Sequence, residues 1–255
     1  MKKILTVLFI ASLYKISYTQ TKTGIVYYGE IQSLGLGSPV GKDYSAILVF
    51  NSEKSLYITR QDSLEHLTPK TDKQKFYFSV STNKEGFQYY NDVKKDTLYS
   101  RDLGFTYVKE KLPKLSWILT NEIKLIGDFE CRKANTFFRG RDYTVWFTTD
   151  IPLPFGPWKL QGLPGLILEA YDTYKEIYWY FKEISYPSPY SYLLKPISNP
   201  NPSWISFKEY KTGIIEKFKE SIIAGKILNE KVGIKSYAPK DMSGDYIEVF
   251  KHEKD

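Results

Sequence analysis

Apolar and polar residues alternate in short runs over most of this chain, with the two-residue period of strands. Residues 24–31 (GIVYYGEI) open the series, and 45–50 and 55–59 read as a pair joined across 51–54. The runs 75–80, 87–91, 97–100 and 105–109 follow, separated by polar turns at 83–86 and 91–96. Residues 117–126, 129–138 and 143–148 continue the pattern, punctuated by Gly127, Asp128 and the stretch 140–142. A Pro/Gly-rich stretch at 152–165 leads into 166–171 (LILEAY), whose hairpin partner is 177–184 (IYWYFKEI) across 172–176. This spacing predicts an antiparallel meander.

The pattern then changes. Residues 186–202 hold Pro187, Pro189, Pro196, Pro200 and Pro202. Proline removes backbone donors and restricts the residue before it, so an extended loop is expected. Ser206 and Glu209 have capping-box spacing. Phe207, Tyr210, Ile214, Phe218 and Ile222 then fall on one helical face, and Gly225 is the expected stop. That face is expected to cover one side of the sheet. The expected fold is mainly β, a curved antiparallel sheet or partly open barrel with a C-terminal helix packed on it. The chain divides into a leader (1–19), a β domain (20–185), a proline-rich loop (186–203), a helix (204–225) and a tail (226–255) whose charged residues from 240 onward are expected to fray.

The leader carries its own signal. Lys2 and Lys3 precede the apolar run 4–13 (ILTVLFIASL), and a more polar stretch, 14–20, follows. That layout predicts a secretory signal peptide cut near Gln20, with a buried strand or a membrane anchor as the alternatives. The layout implies export to the periplasm or the outside, and since no later run reaches the length of a membrane span, a soluble mature chain is expected. No cysteine lies near this end, which argues against a lipidated N-terminus. The formal charge of +7 falls to about +4 once the three leader lysines (Lys2, Lys3 and Lys15) are subtracted. The remaining lysines are mixed with acids, and without a basic block nucleic-acid binding is not expected.

Candidate chemistry is sparse. Cys131 is the one cysteine, so no intramolecular disulfide is available; it reads as a small packed residue, with a thiol nucleophile as the alternative. His66 and His252 lack zinc-ligand spacing, and no nucleophile elbow supports a His66 triad. The glycines near Lys159 lack phosphate-loop spacing, and no cofactor is expected. Asp142, Asp150, Glu169 and Asp172 cluster in sequence and could serve a glycosidase, or could be turn and strand-surface residues. Trp146, Trp158 and Trp179 could stack on sugars or line an apolar groove, although tryptophan more often fills cores.

The central segment 146–173 reads WFTTDIPLPFGPWKLQGLPGLILEAYDT. Gly156 and Pro157 make one bend. Gly162, Leu163, Pro164 and Gly165 make a second, with Gly165 expected at positive φ in a type II turn. Leu166, Ile167 and Leu168 then enter a strand buried on both faces. Residues 162–167 spell GLPGLI, the hexapeptide that names a family of exported Bacteroidetes proteins, and the chain resembles that family over roughly 117–172. Trp117, Glu122, Gly127, Cys131, Ala134, Trp146, Phe147, Thr148, Gly156, Pro157, Leu168 and Glu169 fit its pattern; Phe129 stands where tyrosine is commoner. The resemblance implies an exported β-rich protein with no established activity, and it supplies no catalytic residues. The expected function is non-catalytic binding or assembly in the cell envelope, with an unknown envelope protein, peptide, lipid or glycan as partner. The alternative is a carboxylate-dependent hydrolase of glycans or peptides, with Asp150 and Glu169 as the first candidates.

Overall fold

The computed structural model describes residues 22–65, 82–102, 106–201, 203–231 and 242–250. The expected leader (1–19), the strand at 75–80 and both histidines lie outside the described residues. The other strands form where the alternation placed them. They are β1 (Gly24–Gln32), β2 (Asp43–Phe50), β3 (Lys54–Thr59), β4 (Phe87–Asp92), β5 (Thr97–Asp102), β6 (Thr106–Lys111), β7 (Ile118–Ile126), β8 (Phe129–Phe138), β9 (Arg141–Thr148), β10 (Leu166–Asp172) and β11 (Ile177–Ser185). A two-residue strand, β12 (Ile205–Ser206), follows, and the helices are α1 (Asp62–Glu65) and α2 (Phe207–Lys231).

All twelve strands join one open sheet, ordered β12-β6-β5-β4-β3-β2-β1-β11-β10-β9-β8-β7. Two meanders meet in its middle. The first runs from β1 out to β6. The second starts at the far edge with β7 and returns to β11, which pairs antiparallel with β1 through Gly29 opposite Tyr180 and Glu30 opposite Trp179. At Gly29 a side chain would collide with the Tyr180 ring, so glycine lets that ring lie across the junction.

Successive residues on a strand point to opposite faces, so Leu56 and Tyr57, or Tyr89 and Tyr90, serve different layers. Tyr28, Tyr57 and Tyr89 form a buried aromatic row on one face, with ring centroids 6.4 Å and 6.2 Å apart. On the other face Leu56 and Tyr90 pack against Ile197 and Leu194 of the proline-rich loop and against Trp204 just after it. The chain then passes the β6 edge as β12, parallel to β6, and α2 packs on the Tyr89 face through Tyr210 and Ile214 against Val108. The capping box is formed: the Ser206 backbone N–H donates to Glu209 Oε2 at 2.7 Å, and the Glu209 N–H donates to Ser206 Oγ at 3.2 Å.

Two expectations about the C-terminal part need correction. Gly225 does not stop the helix, which continues to Lys231. A glycine inside a helix costs only about 1 kcal/mol, and nothing forces the chain to turn there. Nor does the tail fray over 242–250. Met242, Ile247 and Glu248 are buried, and the Val249 N–H donates to the Arg139 carbonyl at 2.8 Å. The segment 242–250 is part of the core, since it supplies apolar residues to the α2 layer.

Candidate functional site

The loop between β9 and β10 folds back along β10. The Gly162 N–H donates to Pro154 O at 2.9 Å, the Leu166 N–H to Ile151 O at 3.1 Å, and the Ile167 N–H to Phe155 O at 2.9 Å. The two bends are present, but the glycines act differently from the expectation. Gly162 takes positive φ (94°); Gly165 does not. Gly165 is needed for close approach, because a Cβ there would overlap the Thr148 carbonyl oxygen. Gly156 is similar: its Cβ would lie 2.8 Å from Ile167 side-chain carbons. Leu166, Ile167 and Leu168 are fully buried, as expected of a strand covered on both faces.

This bent loop drives two residues into the core. Trp158, held at φ 56°, stacks on Trp179 (5.9 Å between centroids, 14° between planes) and meets Tyr143 and Phe138. Positive φ is costly for a bulky residue and persists where the surroundings impose it. Next to it, the fully buried Lys159 donates to Glu248 Oε1 at 2.6 Å and Glu110 Oε1 at 3.0 Å. Arg139 pairs with Glu110 in turn, with its guanidinium 3.5 Å from the Phe207 ring centroid. Tyr89, Phe207 and Tyr210 ring the Lys159 ammonium at 5.7–5.9 Å, and the Tyr210 hydroxyl donates to Asp102 Oδ2 at 3.2 Å. Burial acts to lower the Lys159 pKa, but the carboxylates of Glu248 and Glu110 outweigh it and hold the amine protonated.

Two further buried carboxylate centres share this interior. Arg141 donates to Asp172 Oδ2 at 2.9 Å and lies 3.6 Å from Glu176 Oε2. Its remaining N–H groups donate to the carbonyls of Ile247 (3.1 Å) and Tyr246 (2.9 Å). Arg141 therefore clamps the C-terminal segment to β9 and the β10–β11 turn. Glu30 accepts from the Tyr57 hydroxyl at 2.6 Å and from Trp179 Nε1 at 3.0 Å, with Arg60 Nε at 3.4 Å.

The four suspected carboxylates do not converge. Asp142 and Asp150 are exposed. Glu169 is tied to Lys124 at 2.7 Å, and Asp172 to Arg141. Trp158 and Trp179 are core residues; Trp146 is also buried, with the Lys124 ammonium 4.3 Å from its ring centroid. Cys131 is buried, and burial pushes its thiol up to about 12, which removes the thiolate a nucleophile needs. Among the described residues no group of three or more His, Cys, Asp or Glu could hold a metal ion, and no helix is long and apolar enough to cross a membrane.

The residues that do converge, Lys159, Glu110, Glu248 and Arg139, were missed by sequence reasoning, as was the separate Arg141 clamp. A signal was available. Lys159 stands between Trp158 and Leu160, and Glu248 between Ile247 and Val249, so each is a charge embedded among apolar neighbours. With an ammonium and a guanidinium set against two carboxylates, this cluster can join distant parts of the chain. A protonated lysine tied to both glutamates is poorly suited to nucleophilic attack.

No curated protein matches the chain. Solved structures similar to it include two described as the structure of PNGF-II in P21 and in C2 space groups. Both are 18% identical, with TM-scores of 0.48 and 0.47, over 75% of this chain. This chain spans about a third of their length (32%). Residues 139–169, which hold Arg139, Arg141, Trp158, Lys159 and the hexapeptide, match the model of a family described as a protein of unknown function (Porph_ging).

Proposed function

We propose that this chain is an exported cell-envelope protein of the GLPGLI type that acts by binding or assembly rather than by catalysis. One observation carries the reading: the buried carboxylates Glu30, Glu110, Asp172 and Glu248 each have a cation of the same chain beside them. A general acid or base needs a carboxyl free to exchange its proton with substrate. Here the interior is filled by the loop before the hexapeptide and by the segment 242–250. Export is supported by the layout of Lys2, Lys3 and the apolar run 4–13.

The test is capture from an envelope extract in mild detergent, with the chain immobilised and the retained proteins, lipids and glycans identified. Saturable retention of one class is expected. An empty capture, together with turnover of a glycan or peptide that Asp150→Asn or Glu169→Gln abolishes without unfolding the chain, would overturn the reading in favour of a hydrolase.

A further inference from the structure

The two edges of the sheet are treated differently. β12 covers part of β6, with Ile205 opposite Val108 and Ser206 opposite Lys109, and Trp204 packs edge-on against Tyr99 and Tyr107. At the other end β7 pairs, among the described residues, with β8 alone. Its side chains Ile118, Leu119, Ile123 and Leu125 are between 54% and 73% exposed. An uncovered strand with apolar side chains is a template for another strand.

The charges on β7 indicate which strand. Lys124 lies over the Trp146 ring and pairs with Glu169. Glu122 pairs at 2.8 Å with Lys133, the cross-strand neighbour of Trp146. Both charges therefore sit on the Trp146 side of the β7–β8 hairpin.

We propose that β7 pairs antiparallel with β7 of a second copy, about a two-fold axis through Ile123. A two-fold axis perpendicular to the sheet keeps each side chain on its own face, so the register is set by the residue on the axis. An axis at Glu122 sets carboxylate against carboxylate, and one at Lys124 sets ammonium against ammonium. Like charges directly opposite are destabilising, and opposite charges are favourable. An axis at Ile123 sets isoleucine against isoleucine and Glu122 opposite Lys124 of the partner subunit, twice. The register of β7 on β8 shifts between Leu119 and Ile123, which keeps the ladder short. The interface is accordingly small, and the dimer is weak and concentration-dependent.

Sedimentation velocity of the purified full chain between about 1 µM and 1 mM tests it. Reversible dimerisation is expected. Glu122→Lys and Lys124→Glu should each weaken it at least about tenfold. An equimolar mixture of the two variants should recover association, since lysines then face glutamates at both positions. Ile123→Lys should leave monomer, and circular dichroism checks that every variant is folded. A wild type that stays monomeric throughout overturns the proposal and leaves the edge to a foreign strand. A dimer indifferent to all three substitutions, or a variant mixture that does not associate, overturns it equally.

Discussion

The backbone of Gly165 lies against the carbonyl of Thr148 with no room for a side chain between them. This contact seats the start of β10 against the end of β9, where Leu166 pairs with Thr148. Gly165→Ala should cost about 1–3 kcal/mol through overpacking. Gly162→Ala meets nothing closer than 3.8 Å and pays only for positive φ, about 1–2 kcal/mol. Urea unfolding of both variants should place Gly165→Ala lower; the reverse order would mean that the turn, not the close approach, is what the motif protects.

Arg141 links β9 to the C-terminal segment. Arg141→Met leaves Asp172 buried without its cation and frees the carbonyls of Tyr246 and Ile247. The expected loss is about 3–5 kcal/mol. Limited proteolysis should then cut near 242–250 much faster than in the parent. An unchanged cleavage pattern would show that apolar packing alone holds the segment.

Cys131 should be inert in the folded chain. Its thiol is buried and pushed up to about 12. A thiol reagent at about pH 8 should label it slowly until denaturant is added. Rapid labelling of the native chain would revive the nucleophile reading.

Alkali should unfold the chain earlier than acid-base behaviour of surface groups alone would suggest. The carboxylates around Lys159 outweigh its burial and raise its pKa above 10.5. For such a base, the stabilisation is complete below 10.5 and is lost as pH rises through the folded value. Tyr28 and Tyr57, pushed up from 10.0 by burial, act in the same sense, because their phenols ionise first in the unfolded chain. The melting temperature should hold to about pH 10 and then fall, with a shallower fall in Lys159→Met. A melting temperature that rises above that pH would contradict this.

The strands were legible because their alternation is local. The expected run 166–171 became Leu166–Asp172, and 129–138 was found unchanged. Long-range pairing left no such trace. The join between β1 and β11 brings Glu30 to Trp179 across 149 residues. Lys159 likewise meets Glu110 and Glu248 across 49 and 89 residues. The role of Gly165 was misread because proline followed by glycine is a local turn signal, whereas the Thr148 carbonyl is a tertiary neighbour. The carboxylates clustered in sequence, Asp142 to Asp172, were a poor guide because alternation sends Asp142 outward and Asp172 inward.

The buried charges serve the fold. Urea unfolding of Lys159→Met tests this most directly, since methionine keeps an unbranched side chain one atom shorter and removes the charge between Glu110 and Glu248. A loss of about 3–5 kcal/mol is expected, with the denaturant slope unchanged. A midpoint equal to that of the parent would contradict it and return Lys159 to consideration as a functional group.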